Sequence, residues 1–323
     1  MENNKTLVEF QHVSKEFAGN TAVNNLNLTI QNGELFVLVG PSGSGKTTTL
    51  KMINSLEKPT GGTILFDNKE LASYNILKLR WKIGYVLQQI ALFPNMSVAQ
   101  NIALIPELQH QFKSKSDRIN LVNNLLTSVD LDPKTYANRM PSELSGGEQQ
   151  RIGILRAFAC EPQVVLMDEA FSALDPISRT QLQNLVLKMH TETKTTIVFV
   201  THDMNEAMKL GDRIGVMDNG ILQQVGSPTD IAQNPANELV SELFANSGSK
   251  DVYETYLGRI GTLGYYVQHA GNKETVKYNE NDTLRNGLTE LAKGHEIEIV
   301  LNDKTMGYLN QSSIIKFLND HQS

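Results

Sequence analysis

The stretch GPSGSGKTT at residues 40–48 constrains the chain more than any other. An apolar run, ELFVLVG, leads directly into it, and a helix-forming run, KTTTLKMINSL, leads out. Strand, glycine loop and helix in that order make a phosphate-binding unit. Gly40, Gly43 and Gly45 let the backbone wrap tightly, with Pro41, Ser42 and Ser44 between them. Successive N–H groups and the positive end of the helix then point at β- and γ-phosphates. Lys46 adds a mobile positive charge, Thr47 a hydroxyl ligand for Mg²⁺, and Thr48 completes the run.

Further apolar runs alternate with helical ones. QVVLMDE, TTIVFVTHD and RIGVMDNG read as buried strands, with a helix between the first two. Such alternation predicts an α/β fold with a parallel sheet covered on both faces. The N-terminal run LVEFQHVSKEF, the turn AGN and LNLTI are strand-like, whereas residues 90–140 are helix-rich. Polar residues at strand ends are the site candidates. Asp168 ends one strand, where a carboxylate can hold Mg²⁺ through water. Glu169 follows it, placed to accept a proton from attacking water. His202 ends the next strand near the expected γ-phosphate, and Gln88 can sense Mg²⁺ and water from a loop.

A second cradle, ELSGGEQQR at residues 143–151, opens another helix with a serine and two glycines. In combination with the other motifs, and in their order, it resembles the signature of the ATP-binding subunit of ABC transporters. The resemblance covers about residues 5–245 and runs through the phosphate loop, Gln88, the stretch from Leu144 to Glu148, Asp168 and Glu169, Ala173-Leu174-Asp175 and His202. It implies a phosphate-loop (P-loop) ABC ATPase domain with a parallel sheet core, an N-terminal antiparallel β subdomain and a helical subdomain, binding ATP and Mg²⁺. It also implies a homodimer in which Ser145, Gly146 and Gly147 cap the γ-phosphate held by Lys46 of the other chain. By the same resemblance Phe17 stacks on adenine, Gln88 faces the membrane partner, and Asp175 lies in a segment crossing between subunits. Ala170 departs from the proline common at that position, while the neighbouring carboxylate is kept.

The wording of GYVLQQIALFPNMSVAQNIALIPEL, MDEAFSALDPISR and TIVFVTHDMNEAMKLGDRIGVMDNGILQQVGSP is similar to the ATPases of osmoprotectant importers. That similarity implies uptake of glycine betaine, carnitine, choline or proline betaine, with transmembrane permease subunits and an extracytoplasmic solute-binding protein or domain as partners. An importer of another small solute, such as an amino acid, is the alternative, or a soluble ABC ATPase outside transport. The stretch between Lys46 and Ser145 is too short for the coiled coil of repair ATPases, and there is one ATPase unit, not two.

Bulk properties fit this reading. The formal net charge of −6, with no long basic run, argues against a nucleic-acid partner. The single cysteine, Cys160, suits a reducing compartment and is expected to be a buried structural thiol. The charge-free stretch at residues 83–106 contains Gln88, Gln89, Pro94, Asn95, Gln100 and Asn101, so it is not expected to span a membrane. The expected location is the cytoplasmic face of the cell membrane, held by partners. A small-residue and polar linker at residues 243–251 places the domain boundary at about 248, giving domains at 1–248 and 249–323. The tail reads as a small α/β unit: a strand at TVKYNEND, a helix carrying Leu284, Leu288 and Leu291, two strands joined by an Asn-Asp turn, and a closing helix. Residues 260–320 resemble one CBS regulatory module, lacking the aspartate that many such modules use for ribose.

Overall fold

The computed structural model describes residues 5–89, 91–172, 174–245, 253, 255–267, 269, 273–301 and 304–321. The chain divides into two compact units, Met1–Phe244 and Ala245–Ser323. The expected boundary at residue 248, Ala173 and the Asn302-Asp303 turn lie outside the described residues.

The first unit runs β1 (Thr6–Phe17), β2 (Asn20–Gln31), β3 (Leu35–Val39), α1 (Lys46–Ile53), β4 (Gly61–Phe66), β5 (Lys69–Glu70), α2 (Ile76–Arg80) and β6 (Ile83–Val86). It continues through α3 (Val98–Leu108), α4 (Lys115–Ser128), α5 (Pro133–Tyr136), α6 (Gly146–Phe158), β7 (Val164–Asp168) and α7 (Pro176–Thr193). β8 (Thr196–Thr201), α8 (Met204–Leu210), β9 (Arg213–Asp218), β10 (Ile221–Gly226), α9 (Pro228–Gln233) and α10 (Glu238–Phe244) complete it. Six strands form the central sheet in the order β10-β9-β3-β8-β7-β6, and four form an antiparallel sheet in the order β2-β1-β4-β5. All pairs of the central sheet from β9 to β6 are parallel, and β10 is antiparallel to β9. Strands β5, β6 and β10 are additions to the sequence reading; β5 and β6 are short, and β10 has no fully buried residue to set a period.

Every residue of β3, β7 and β8 is buried, which is why these runs read as continuously apolar. Their side chains nevertheless alternate. Leu35, Val37, Val165, Met167, Ile197 and Phe199 join a core with α3, α6 and α7. Phe36, Leu38, Val164, Leu166, Val198 and Val200 join a second core with α1 and the antiparallel sheet. One sheet thus divides two cores by the two-residue period of its pleat. In the helix-rich segment α4 buries only Val122 and Leu126, four positions apart on one face. Serines cap α3, α4 and α6: Ser97, Ser114 and Ser145 each accept a backbone N–H, and the residue three positions on returns a bond.

Cys160 is half-buried instead of fully buried, and desolvation pushes its thiol up to about 12, so it is inert as a nucleophile. No helix among the described residues is long and apolar enough to cross a membrane; residues 83–106 instead contain β6 and most of α3.

The second unit contains α11 (Leu257–Ile260), β11 (Thr275–Asn279), α12 (Leu284–Ala292), β12 (Glu296–Leu301), β13 (Lys304–Leu309) and α13 (Gln311–His321). Strands β11 and β12 are parallel and joined through α12, whereas β12 and β13 are antiparallel. Its core holds Leu257, Leu284, Leu291, Ile297, Ile299 and Phe317, among others.

Phe199, fully buried, stacks on Phe171 with ring centroids 5.1 Å apart. Phe199→Ala should reduce the unfolding free energy of the first unit by about 3–5 kcal/mol. A shift of the denaturant midpoint at unchanged slope measures this.

Candidate functional site

Parallel register brings the site together. Val39 lies opposite Thr201, Asp168 opposite Val200, and Val86 opposite Met167. The carboxyl ends of β3, β6, β7 and β8 therefore share one edge, from which the segments carrying Gly40, Gln88, Glu169 and His202 emerge. Ligands of open α/β sheets bind along such an edge.

The glycine loop needs its glycines for geometry as well as for contact. Gly45 caps α1 with φ 97°, and a Cβ there would meet the Ala22 carbonyl oxygen at 2.3 Å. Ser42 and Gly43 are exposed at the tip, Ser44 is buried, and Pro41, Thr47 and Thr48 are half-buried. Inside the loop, Lys46 Nζ donates to the carbonyl oxygens of Gly40 at 2.9 Å and Pro41 at 2.7 Å, and to Ser44 Oγ at 3.2 Å. Only 4% of Lys46 is exposed. Burial lowers its pKa, and the carboxylates of Glu169 and Asp168 oppose that shift.

Below the loop, Thr47 Oγ1 donates to Asp168 Oδ1 at 2.8 Å. Burial raises the pKa of Asp168; the Thr47 hydrogen bond and the Lys51 charge pull it back. Hydroxyl and carboxylate oxygens side by side are the hard donor set that Mg²⁺ requires. Tyr85 was not singled out in the sequence, yet its buried hydroxyl, without a partner of good hydrogen-bond geometry, lies close enough to Asp168 for the carboxylate to help push the phenol pKa up. Desolvation is the larger cause of that shift. A tyrosine in a short strand carries no periodic signal that separates it from core packing.

Glu169 collects the remaining strand-end groups. Its Oε2 accepts from Gln88 Nε2 at 3.3 Å and lies 3.2 Å from His202 Nδ1. Gln88 also reaches Ser172 Oγ at 3.5 Å. The glutamate backbone has φ 44°, the left-handed region that a side chain disfavours. The glycine loop, a hydroxyl–carboxylate oxygen pair and a carboxylate touched by glutamine and histidine thus lie along one edge. The arrangement can hold a nucleotide triphosphate tail and deprotonate water beside it.

Other expected residues stand elsewhere. Ser145 caps α6 through Glu148, donating its hydroxyl to Glu148 Oε2 at 2.8 Å and accepting from Glu148 N at 3.3 Å. Tyr136 holds the other carboxylate oxygen at 2.6 Å. Ser145 and Gly146 are exposed, and a Cβ on Gly146 would meet nothing within 4 Å. The fold itself does not require glycine there. Asp175 caps α7, accepting from the N–H groups of Ile177 at 3.1 Å and Ser178 at 3.0 Å; the Ser178 hydroxyl, and after it these backbone bonds, hold its pKa down. Phe17 is 41% exposed at the end of β1, with Lys15 Nζ 4.5 Å from its ring centroid. Gln150, read in the sequence only as part of the second cradle, is buried and donates from Nε2 to the Ala170 carbonyl oxygen at 2.8 Å. Its signal was position: it falls four residues before buried Ile154, on the apolar face of α6.

Comparison with known proteins gives the following. The ABC transporter family model matches residues 23–172. The choline transport ATP-binding protein of Bacillus subtilis is 49% identical over 314 residues, 94% of this chain and 78% of that protein. The glycine betaine uptake system ATP-binding protein of Escherichia coli is 41% identical over 297 residues, 92% of this chain and 94% of that protein. Among solved structures, an ATP-binding cassette seen as a dimer in a post-hydrolysis state with ADP and Pi superposes with a TM-score of 0.61 at 33% identity, covering 69% of this chain and 99% of that one.

Lys46→Ala removes the cation held at the centre of the loop. ATP affinity measured by calorimetry should fall about a hundredfold, and an unchanged affinity would contradict the cradle role of the loop.

Proposed function

This chain belongs to the ABC transporter ATP-binding family, and from that premise we propose that it is the ATP-hydrolysing subunit of an importer of quaternary ammonium osmoprotectants. The observation that carries the ATPase reading is the meeting of Gln88 and His202 on one carboxylate oxygen of Glu169, along the edge where the phosphate loop emerges. Relatives named for choline transport and glycine betaine uptake support the cargo.

In this reading the loop N–H groups and Lys46 take up the charge of the β- and γ-phosphates. Thr47 and Asp168 would hold Mg²⁺ with Gln88 beside them, and the ion supplies charge neutralisation on the phosphate oxygens. Glu169 accepts a proton from the attacking water, and His202 orients that carboxylate and contacts the γ-phosphate side. Phe17 offers an exposed ring face to adenine.

Two chains pack head to tail around two nucleotides. Ser145, Gly146 and Gly147 then meet the γ-phosphate on the other chain, adding the positive end of α6. The open space over Gly146, which the fold does not need, supports this close approach. Asp175 and the start of α7 belong to the same interface, where Ile177 is 73% exposed.

A groove of about 530 Å³ lined by Leu77, Trp81, Phe93, Leu104, Leu108 and Arg156 supports a membrane partner. It is apolar with a cationic edge and adjoins the Gln88 loop, and a short cytoplasmic helix of a permease subunit suits it. An extracytoplasmic solute-binding protein or domain completes the importer, which holds the ATPase at the cytoplasmic membrane face. We further propose that the second unit is one CBS-like module that pairs across the dimer. The strand–helix–strand–strand–helix order of β11, α12, β12, β13 and α13 supports it.

Two measurements test these assignments. In cells lacking other osmoprotectant uptake, the complete transporter should import labelled glycine betaine, carnitine or choline, increasingly at high osmolarity, and Glu169→Gln should abolish that uptake. Retained ATPase activity with no uptake of any of these solutes would remove the cargo assignment. Ser145→Arg should reduce ATP hydrolysis at least about tenfold while the Kd of the isolated chain for ATP stays within about twofold; equal loss of single-chain binding would remove the cross-chain role.

A further inference from the structure

We propose that Gln150 is a positioning residue for Glu169, tying the helix that caps one nucleotide to the general base that acts on the other. This inference rests on the two-chain reading above for its consequence, but not for the contact itself.

The Glu169 backbone lies at φ 44°, a conformation that a non-glycine residue keeps only when its surroundings enforce it. Three contacts do so. Glu169 N donates to the Val200 carbonyl oxygen at 2.9 Å, fixing the entry from β7. Ser172 donates to the Glu169 carbonyl oxygen from its backbone N at 3.2 Å and from its hydroxyl at 3.0 Å. The peptide between these anchors is held by Gln150 Nε2, which donates to the Ala170 carbonyl oxygen at 2.8 Å. Both Gln150 and Ala170 are 3% exposed, so water does not compete for this bond. Alanine at 170 has no ring to fix its own φ, so the glutamine bond adds a polar restraint to a peptide that the buried Phe171 ring anchors on its other side.

The other end of the connection is the second cradle. Gln150 sits in α6 about one turn beyond Gly146 and Gly147, so the cradle and the amide move as one rigid piece. Seating of the other chain's γ-phosphate on Ser145 and Gly146 therefore acts through Gln150 on the peptide that orients Glu169 of the same chain. A local register between the two sites follows: each chain's base is aligned when that chain's own cradle is filled. Gln150 touches neither nucleotide nor water in this scheme.

The test uses Gln150→Met, which keeps volume and apolar packing and removes the donor, with Gln150→Leu as a second variant if the first folds poorly. In the nucleotide-free full chain, amide exchange at residues 169–172 should quicken about tenfold, while the ATP Kd stays within about twofold. The steady-state kcat should fall about tenfold with KM for ATP unchanged. Mixed dimers with a single working Glu169 separate the routes. The loss should appear when Gln150→Met is in the chain with the intact Glu169, and not when it is in the partner carrying Glu169→Gln. Unchanged exchange and kcat, or a loss that follows the partner, would overturn the proposal. If Glu169→Gln forms no dimer with MgATP, the two-chain reading fails, and the exchange result still decides the contact.

Discussion

The parallel register of β3, β8, β7 and β6 is the constraint on which the rest of the first unit depends. Because paired residues at the strand ends are offset by no more than a position or two, the glycine loop, the Thr47–Asp168 oxygen pair and the Glu169 carboxylate emerge together without long connecting segments. Each strand is buried on both faces, so no functional polar group can sit along its length without a desolvation penalty. Polar chemistry is forced to the ends. Asp168 illustrates the limit: it is the last residue of β7, it is 7% exposed, and burial raises its pKa while the Thr47 hydrogen bond and the Lys51 charge pull it back.

The same burial governs Lys46. An ammonium this enclosed keeps its charge only if nearby groups compensate for lost water. The loop carbonyls of Gly40 and Pro41 supply dipoles, and Glu169 and Asp168 supply opposite charge. Cation, hydroxyl and two carboxylates are therefore mutually dependent. The left-handed backbone at Glu169 adds a conformational cost that the surrounding hydrogen bonds must offset. Strain, burial and charge thus coincide at one strand end, which is where the proposed hydrolysis takes place.

Much of this was legible because local sequence rules and global packing agree. Apolar runs fixed β3, β7 and β8, glycines marked the loop between β3 and α1, and Ser145 marked the start of α6, where it caps the helix. Gln88, Asp168, Glu169 and His202 were legible as polar residues at apolar strand ends or in an adjoining loop. Tyr85 and the Gln150 bond to Ala170 were not, since a side-chain contact across twenty or eighty residues leaves no mark in periodicity. Cys160 differs in degree from the sequence expectation: it lines the apolar groove instead of lying fully inside a core, although burial still raises its thiol pKa. Strand β10 went unread because only partial burial supports it.

Cargo and motor are legible to different extents for a physical reason. Every ATPase of this kind must wrap the same triphosphate, so the chemistry proposed for Lys46, Thr47, Asp168 and Glu169 is dictated by a ligand that does not vary. In the proposed importer the solute touches other subunits, and no side chain here is selected by its shape or charge. In that proposal, partner choice falls instead to the surface that would accept one permease and refuse others. The groove around Leu77, Trp81 and Phe93 has the exposed apolar area for that task, with Leu77 60% exposed and Trp81 40% exposed. Its Arg156 lies over Phe93 and donates to the Ala91 carbonyl oxygen at 2.7 Å, which stiffens the rim next to the Gln88 loop. In the proposed importer, a permease helix seated there lies a few residues along the chain from Gln88, whose side chain contacts Glu169.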